Sequence, residues 1–211
     1  MSFTDLQIEE LCQRVRERLS EKRFFHTLGV EQAAIRLGHF LCPDDIRELR
    51  CAALLHDVTK ELSREEQCEI LEKEGITDPD DLSSASIHHS LTGPYVIKRD
   101  FPELATERVL SAVRKHTTGD SDMSVFDQII FIADYIEDGR TYSACIDVRD
   151  RLYEALGKAE CREDMEHALL VAVLSSIDNT VESLKIRKSP IHGRTLLAGA
   201  SIRRKMSSGS C

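Results

Sequence analysis

The chain has 211 residues, 41% of them hydrophobic and 31% charged, with a formal net charge of −9 and no tryptophan. This is the composition of a soluble globular protein long enough to bury one core of ordinary size, and its acidity argues against nucleic acid as a partner. The longest apolar runs, such as Ala168 to Leu174, are too short to cross a membrane, and the acidic N-terminus does not read as a signal segment.

Helix signals recur from end to end and two-residue alternation is hard to find, so an all-α fold is expected. Leu6, Leu11, Val15 and Leu19 make the first apolar stripe, opened by a capping box of Thr4 and Gln7. Val30, Ala33, Ala34, Leu37 and Leu41 mark a second helix that Pro43 helps to stop. Ile46, Leu49, Ala53 and Leu54 carry a third into His56 and Asp57, while Ser63 and Glu66 cap a fourth that closes near Gly75. The stretch from Gly75 to Ser86, with Pro79 among several Asp and Ser residues, reads as a loop. A short helix is expected after Gly93 and Pro94, another from about Glu103 to Lys115, and one opening at Ser124 and Asp127 that carries Asp134. Met165, Ala168, Leu169, Ala172, Val173, Ile177, Val181 and Leu184 define a long helix near the C-terminus. After Glu182 no acidic residue remains, whereas Lys185, Arg187, Lys188, Arg194, Arg203, Arg204 and Lys205 all follow. A single domain over residues 1–195 is expected, with a partly disordered tail over 196–211. Seven cysteines, odd in number and never spaced Cys-x-x-Cys, read as reduced packing thiols and place the protein in the cytoplasm.

The most informative feature is His56 beside Asp57, at the end of the apolar run Cys51-Ala-Ala-Leu-Leu-His-Asp-Val-Thr-Lys60. Successive side chains on a helix are turned by about 100°, so neighbouring residues reach one ion only where a helix ends. Further ligands must come from elsewhere, and His26, His89, His116 and Asp134 are the candidates. Asp134 stands among Ile132, Ala133, Tyr135 and Ile136, where an uncompensated carboxylate is costly to bury. Imidazoles and carboxylates without paired cysteines suit a hydrolytic metal, iron or manganese ahead of zinc, which makes water acidic and polarises a phosphoryl oxygen. An anionic substrate of so acidic a protein needs local Arg or Lys. His39 and His167 read as ordinary helix residues.

Arg23-x-x-His26-Thr-Leu-Gly-Val30, Leu54-Leu-His-Asp-x-x-Lys60, His89-x-x-x-Gly93, His116-Thr-Thr-Gly119, Ile130-Phe-Ile-Ala-Asp-Tyr-Ile136-Glu-x-Gly-Arg140 and Pro190-Ile-His192 occur in that order. Together they resemble the HD-domain metal-dependent phosphohydrolases, and among them the symmetrical bis(5′-nucleosyl)-tetraphosphatases, from about Arg23 to Thr195. The resemblance implies an HD-domain helical bundle in which His26, His56, Asp57 and Asp134 hold iron, with manganese or another divalent metal as substitutes. His89, chosen over His88 by its spacing to Gly93, and His116 either hold a second metal or donate to substrate phosphates. The implied reaction is attack of water on a phosphoanhydride, cleaving diadenosine tetraphosphate to two ADP, with Asp57, Lys60, His89 and His116 as catalytic residues. The same His26, Asp57, Lys60, His89 and His116 border the implied substrate site. Arg23, Thr117, Asp134, Arg140 and the segment Arg187, Lys188, Ser189, Pro190, Ile191 and His192 complete it. A nucleotidase or phosphodiesterase acting on mononucleotides or cyclic nucleotides, and a nucleotide sensor without turnover, compete with this reading. A homodimer is left open. Thr59, in place of a small apolar residue, and Ser90-Leu-Thr, in place of Gly-Pro-Val, depart from the pattern but leave the ligands intact.

Overall fold

Thr4, Ser63 and Ser124 each open a helix with a capping box. The cap hydroxyl accepts from the backbone N–H three residues on, and Gln7, Glu66 or Asp127 accepts in return from the cap's own N–H, so two orphan donors are met at once. The computed structural model describes residues 3–208. Among the described residues there are ten α-helices and no strand: α1 Asp5–Arg16, α2 Glu21–Leu41, α3 Ile46–Leu55, α4 Arg64–Lys73 and α5 His88–Asp100 come first. Then follow α6 Glu107–Lys115, α7 Val125–Ile136, α8 Ser143–Lys158, α9 Arg162–Ile186 and α10 Gly193–Ser208. None is long and apolar enough to cross a membrane.

Helix α2 lies against α3 and α7, α6 packs between α5 and α7, and α8 pairs with α9, which carries α10. Leu37, Leu49, Leu54, Val113, Ile129 and Ile132 fill the centre and are fully buried. Burying a side chain of this size contributes about 1.5–3 kcal/mol. In α1 the buried stripe is Ile8, Leu11 and Val15, whereas Leu6 is exposed, because five residues from Leu6 to Leu11 overshoot one helical turn.

Several boundaries differ from those expected. Ser20 caps α2 well before Val30, so Arg23 and His26 belong to its first turns. Helix α5 starts at His88 and runs through Pro94 instead of beginning after it. Gly93 explains how: it has no Cβ to crowd the proline ring, and a Cβ there would stand 2.8 Å from Val113 Cγ1, so its bare backbone also admits α6. Residues 102–104 form a short turn before Thr106 caps α6. Helix α8 is an element beyond those expected, although Cys145, Val148, Leu152 and Leu156 recur at helical spacing on its buried face.

The expected tail over 196–211 is corrected. Helix α10 continues to Ser208 because Ala198 and Ile202 enter the main core and the Ser201 hydroxyl donates to the Ser121 carbonyl at 2.7 Å. The part of that expected tail at residues 209–211 lies outside the described residues.

Helix α9 ends in a Schellman turn, with Ser189 N–H donating to Leu184 O and Lys188 N–H to Lys185 O. Lys188 occupies the left-handed position at φ 54°, where glycine is the usual residue. Lys188→Gly is therefore expected to raise the unfolding free energy by about 1 kcal/mol in a urea titration. A loss of stability would show that the lysine side chain contributes more than its backbone strain costs.

Candidate active site

Five helix ends meet at one point, and each delivers part of a cluster. The start of α2 brings Arg23 and His26, and the Glu61 carboxylate ties it to the turn after α3 by accepting from Ser20 N and Oγ at 2.5 and 2.6 Å. His56 caps the end of α3, so Asp57 and Lys60 follow in turns that face the same space. The start of α5 carries His89, the end of α6 carries His116 and Thr117, and the last turn of α7 carries Asp134 with Arg140 just beyond. This is how adjacent His56 and Asp57 point inward together, as a helix end requires.

The hydrogen bonds fix which ring nitrogen faces the centre. His56 Nδ1 and His116 Nδ1 each lie 2.7 Å from a backbone carbonyl, Ala53 and Val113 respectively, so each Nδ1 carries the proton. His26 Nδ1 lies 3.2 Å from Glu137 Oε1. In His56 and His116 this leaves the lone pair on Nε2, while His26 Nε2 faces Asp134. His56 Nε2 and His26 Nε2 are buried without a hydrogen-bond partner, yet carboxylate oxygens stand close: Asp134 Oδ1 at 3.1 Å from His26, and Asp57 Oδ2 at 3.5 Å from His56.

The donor atoms of His26, His56 and Asp134 lie within 4.8 Å of one another, and so do those of His56, Asp57 and His116. Buried imidazole nitrogens clustered with carboxylate oxygens fit a divalent cation. The remaining imidazoles adjoin this set, with His89 Nε2 3.0 Å from His116 Nε2 and 3.4 Å from Asp57 Oδ1.

Positive side chains surround the acids. Arg23 donates to Asp57 Oδ2 at 2.9 Å, Arg140 donates to Asp134 Oδ1 at 2.6 Å, and Lys60 Nζ stands 3.2 Å from the His89 ring. Burial alone would raise the Asp57 carboxyl, but the imidazoles of His56, His116 and His89 hold it well below the usual range. Burial also works against a charged His26, yet Asp134 and Glu137 raise its pKa to about 9. Lys60 goes the other way: burial pushes its ammonium down despite Asp57 and Asp134. Asp134 and Glu137 thus press on the two nitrogens of one imidazole, at 3.1 and 3.2 Å.

Of the residues expected at the site, the structure brings together Arg23, His26, His56, Asp57, Lys60, His89, His116, Thr117, Asp134 and Arg140. Asp134 is less buried than its apolar neighbours suggest, with 23% of its side chain exposed on the open side. His88 is buried outside the cluster, with neither ring nitrogen bonded. The segment 187–192 behaves differently, since its first residues close α9 and His192 Nε2 donates to Asp81 Oδ1 at 3.0 Å. Arg194 binds the same Asp81 at 3.0 Å, which ties the 75–86 loop to the start of α10. Sequence reasoning passed over Glu137, Glu61 and Asp81. Only Glu137 left a signal, as an acid directly after the apolar end of α7 within the Asp134 motif.

A cavity of about 640 Å³ opens between α8 and α9 around Leu152, Ala168 and Ala172 and shares no residue with the cluster. It contains no group of cation ligands comparable to the helix-end cluster.

Residues 23–139 match the HD domain family. The chain is 30% identical over 189 residues to the symmetrical bis(5′-nucleosyl)-tetraphosphatase of Bacillus subtilis, covering 90% of this chain and 94% of that protein. The enzyme of the same name from Staphylococcus aureus is 34% identical over 149 residues, 70% of this chain and 75% of its own length. A crystal structure of a predicted HD superfamily hydrolase involved in NAD metabolism from Clostridium acetobutylicum superposes with a TM-score of 0.79 at 32% identity. That match covers 93% of this chain and 97% of the other. His26, His56, Asp57 and Asp134 all fall inside the matched HD segment, and the chain belongs to the HD domain family and, within it, to the symmetrical bis(5′-nucleosyl)-tetraphosphatases.

Proposed function

We propose that the chain cleaves diadenosine tetraphosphate symmetrically to two ADP at the helix-end cluster, with iron as its metal and manganese or another divalent ion as a substitute. The observation that carries this reading is the ring of Arg23, Lys60 and Arg140 around a carboxylate and imidazole set, which suits a polyanion in an otherwise acidic protein. The relatives' names supply the substrate.

His26 and His56 would hold the ion through Nε2, and Asp57 and Asp134 through carboxylate oxygens. Bound there, it supplies an acidic water and a Lewis acid for a phosphoryl oxygen. In the reaction the water oxygen bonds to one central phosphorus, the bond to the bridging oxygen breaks, and the departing ADP oxygen gathers negative charge. Arg23, Lys60 and Arg140 face that charge.

His89 is arranged to donate. His116 Nε2 is a lone pair, so its 3.0 Å contact requires the proton on His89 Nε2, while Lys60 Nζ lies 3.2 Å from both His89 ring nitrogens. Burial, with His116 and Lys60 beside it, keeps His89 neutral. A phosphate oxygen bound here would take the Nε2–H in place of His116 Nε2, and the Thr117 hydroxyl, 3.0 Å away, offers a second hydrogen bond. A second ion between His89 and His116 is the other arrangement, and metal analysis of active protein separates them: one ion per chain supports donation, two support the second centre.

The decisive assay compares ADP release from diadenosine tetraphosphate with phosphate release from mononucleotides and hydrolysis of cyclic nucleotides. If ADP is not formed, the proposal fails. Binding without turnover under every metal tried would identify a sensor. The segment Arg187 to His192 remains assigned to the nucleotide, so Lys188→Gly is expected to raise KM several-fold, and an unchanged KM would remove the segment from the site. The unpaired thiols of Cys12, Cys51 and Cys145 suit a reducing compartment, and cytoplasmic placement belongs to this reading.

A further inference from the structure

Glu137 lies immediately beyond α7 and is 4% exposed, although no ion ligand or phosphate group has been assigned to it. Its two carboxylate oxygens have separate tasks. Oε1 faces His26 Nδ1 at 3.2 Å, and Oε2 accepts from Gly139 N–H at 2.6 Å.

Space for this carboxylate is made on both sides by glycine. A Cβ at Gly29, one turn along α2 from His26, would lie 2.5 Å from Glu137 Oε2, and a Cβ at Gly139 would lie 2.9 Å from the same atom. The loop itself is clamped from α8, where Arg149 donates to the carbonyls of Ile136, Glu137 and Arg140 at 2.6, 2.9 and 2.8 Å. One buried carboxylate, two bare backbones and a guanidinium on three carbonyls therefore converge on the outer nitrogen of one imidazole.

We propose that Glu137 is a positioning residue for metal binding: it holds the proton of His26 on Nδ1 and fixes the ring plane, so that Nε2 presents its lone pair to the ion. The inference rests on the metal reading of the cluster. A ring without that acceptor samples both tautomers and rotates, and loss of such a partner weakens metal affinity by about 10- to 100-fold. His56 and His116 take the same bond from backbone carbonyls within their own helices, so His26 is the ring of the three whose orientation a side-chain substitution can release.

The test measures zinc affinity of the metal-free full-length protein by competition with a chromophoric chelator, without any substrate. Glu137→Ala is expected to bind zinc about 10- to 100-fold more weakly than wild type. Glu137→Gln should fall between, because one amide cannot accept from both His26 and Gly139 with its two ends. Gly29→Ala keeps the glutamate and favours the helix, but its methyl displaces the carboxylate, so it should reproduce the loss in a folded protein. The nitrogen resonances of His26 in the zinc-loaded wild type should show a protonated Nδ1, and that signature should disappear in Glu137→Ala.

Affinities within twofold of wild type in both Glu137→Ala and Gly29→Ala would overturn the proposal, as would a zinc-loaded wild type whose His26 is protonated on Nε2. Should Glu137→Ala not fold, Gly29→Ala and the wild-type resonances decide. If wild type itself takes up no zinc, the metal reading falls and this inference with it. If wild type binds and the variants bind equally, only the role of Glu137 is lost.

Discussion

Asp57→Ala is expected to lose its metal and to lower kcat/KM for diadenosine tetraphosphate by at least about a thousandfold, which corresponds to about 4 kcal/mol of transition-state stabilisation. The size follows from where the carboxylate stands. Its oxygens lie 3.8 Å from His26 Nε2, 3.5 Å from His56 Nε2, 3.4 Å from His89 Nε2 and 3.6 Å from His116 Nε2, so it adjoins both candidate ligand groups. Removing it subtracts a negative ligand and leaves Arg23, formerly paired at 2.9 Å, as net positive charge beside the ion. Both changes disfavour a cation. Arg23 is partly exposed and can turn to water, so the protein should stay folded, which circular dichroism would confirm alongside metal analysis and steady-state kinetics. An Asp57→Ala protein that keeps its metal and full activity would remove Asp57 from the centre.

Legibility from sequence followed the range of the interactions involved. Capping boxes at Thr4, Ser63 and Ser124 act over three residues, so they could be read directly. The residue types of the cluster were visible for a related reason: polar groups interrupt apolar helices where those helices end. Helix α10 was not visible, because Ala198 becomes core only where Gly119, at φ 66°, turns the His116 motif beneath it. That backbone has no Cβ, and one would lie 3.1 Å from Ala198 Cβ. Glu137 meets His26 across 111 residues of chain, through space that Gly29 leaves empty. No local pattern encodes such a contact. The tautomers of His56 and His116 were equally hidden, since they depend on where single carbonyls point.

Lys60→Met is expected to lower kcat about 10²- to 10³-fold with metal content unchanged, the range found when one preorganised donor to a developing oxyanion is removed. Methionine retains an unbranched apolar stem, so the substitution deletes the ammonium while largely filling the same space. The ammonium is costly in the free protein, because burial pushes its pKa down and Asp57 and Asp134 only partly offset that. Replacing it should therefore leave thermal stability unchanged or slightly raised, whereas a structural lysine would lose stability with its charge. Its contact with the His89 ring gives a second consequence, since without Lys60 the ring loses a neighbour 3.2 Å from both of its nitrogens and is held less firmly. Activity should fall while stability holds. Equal losses in both would assign Lys60 to the fold instead of the reaction, and a kcat near wild type would show that Arg23 and Arg140 suffice for the leaving phosphate.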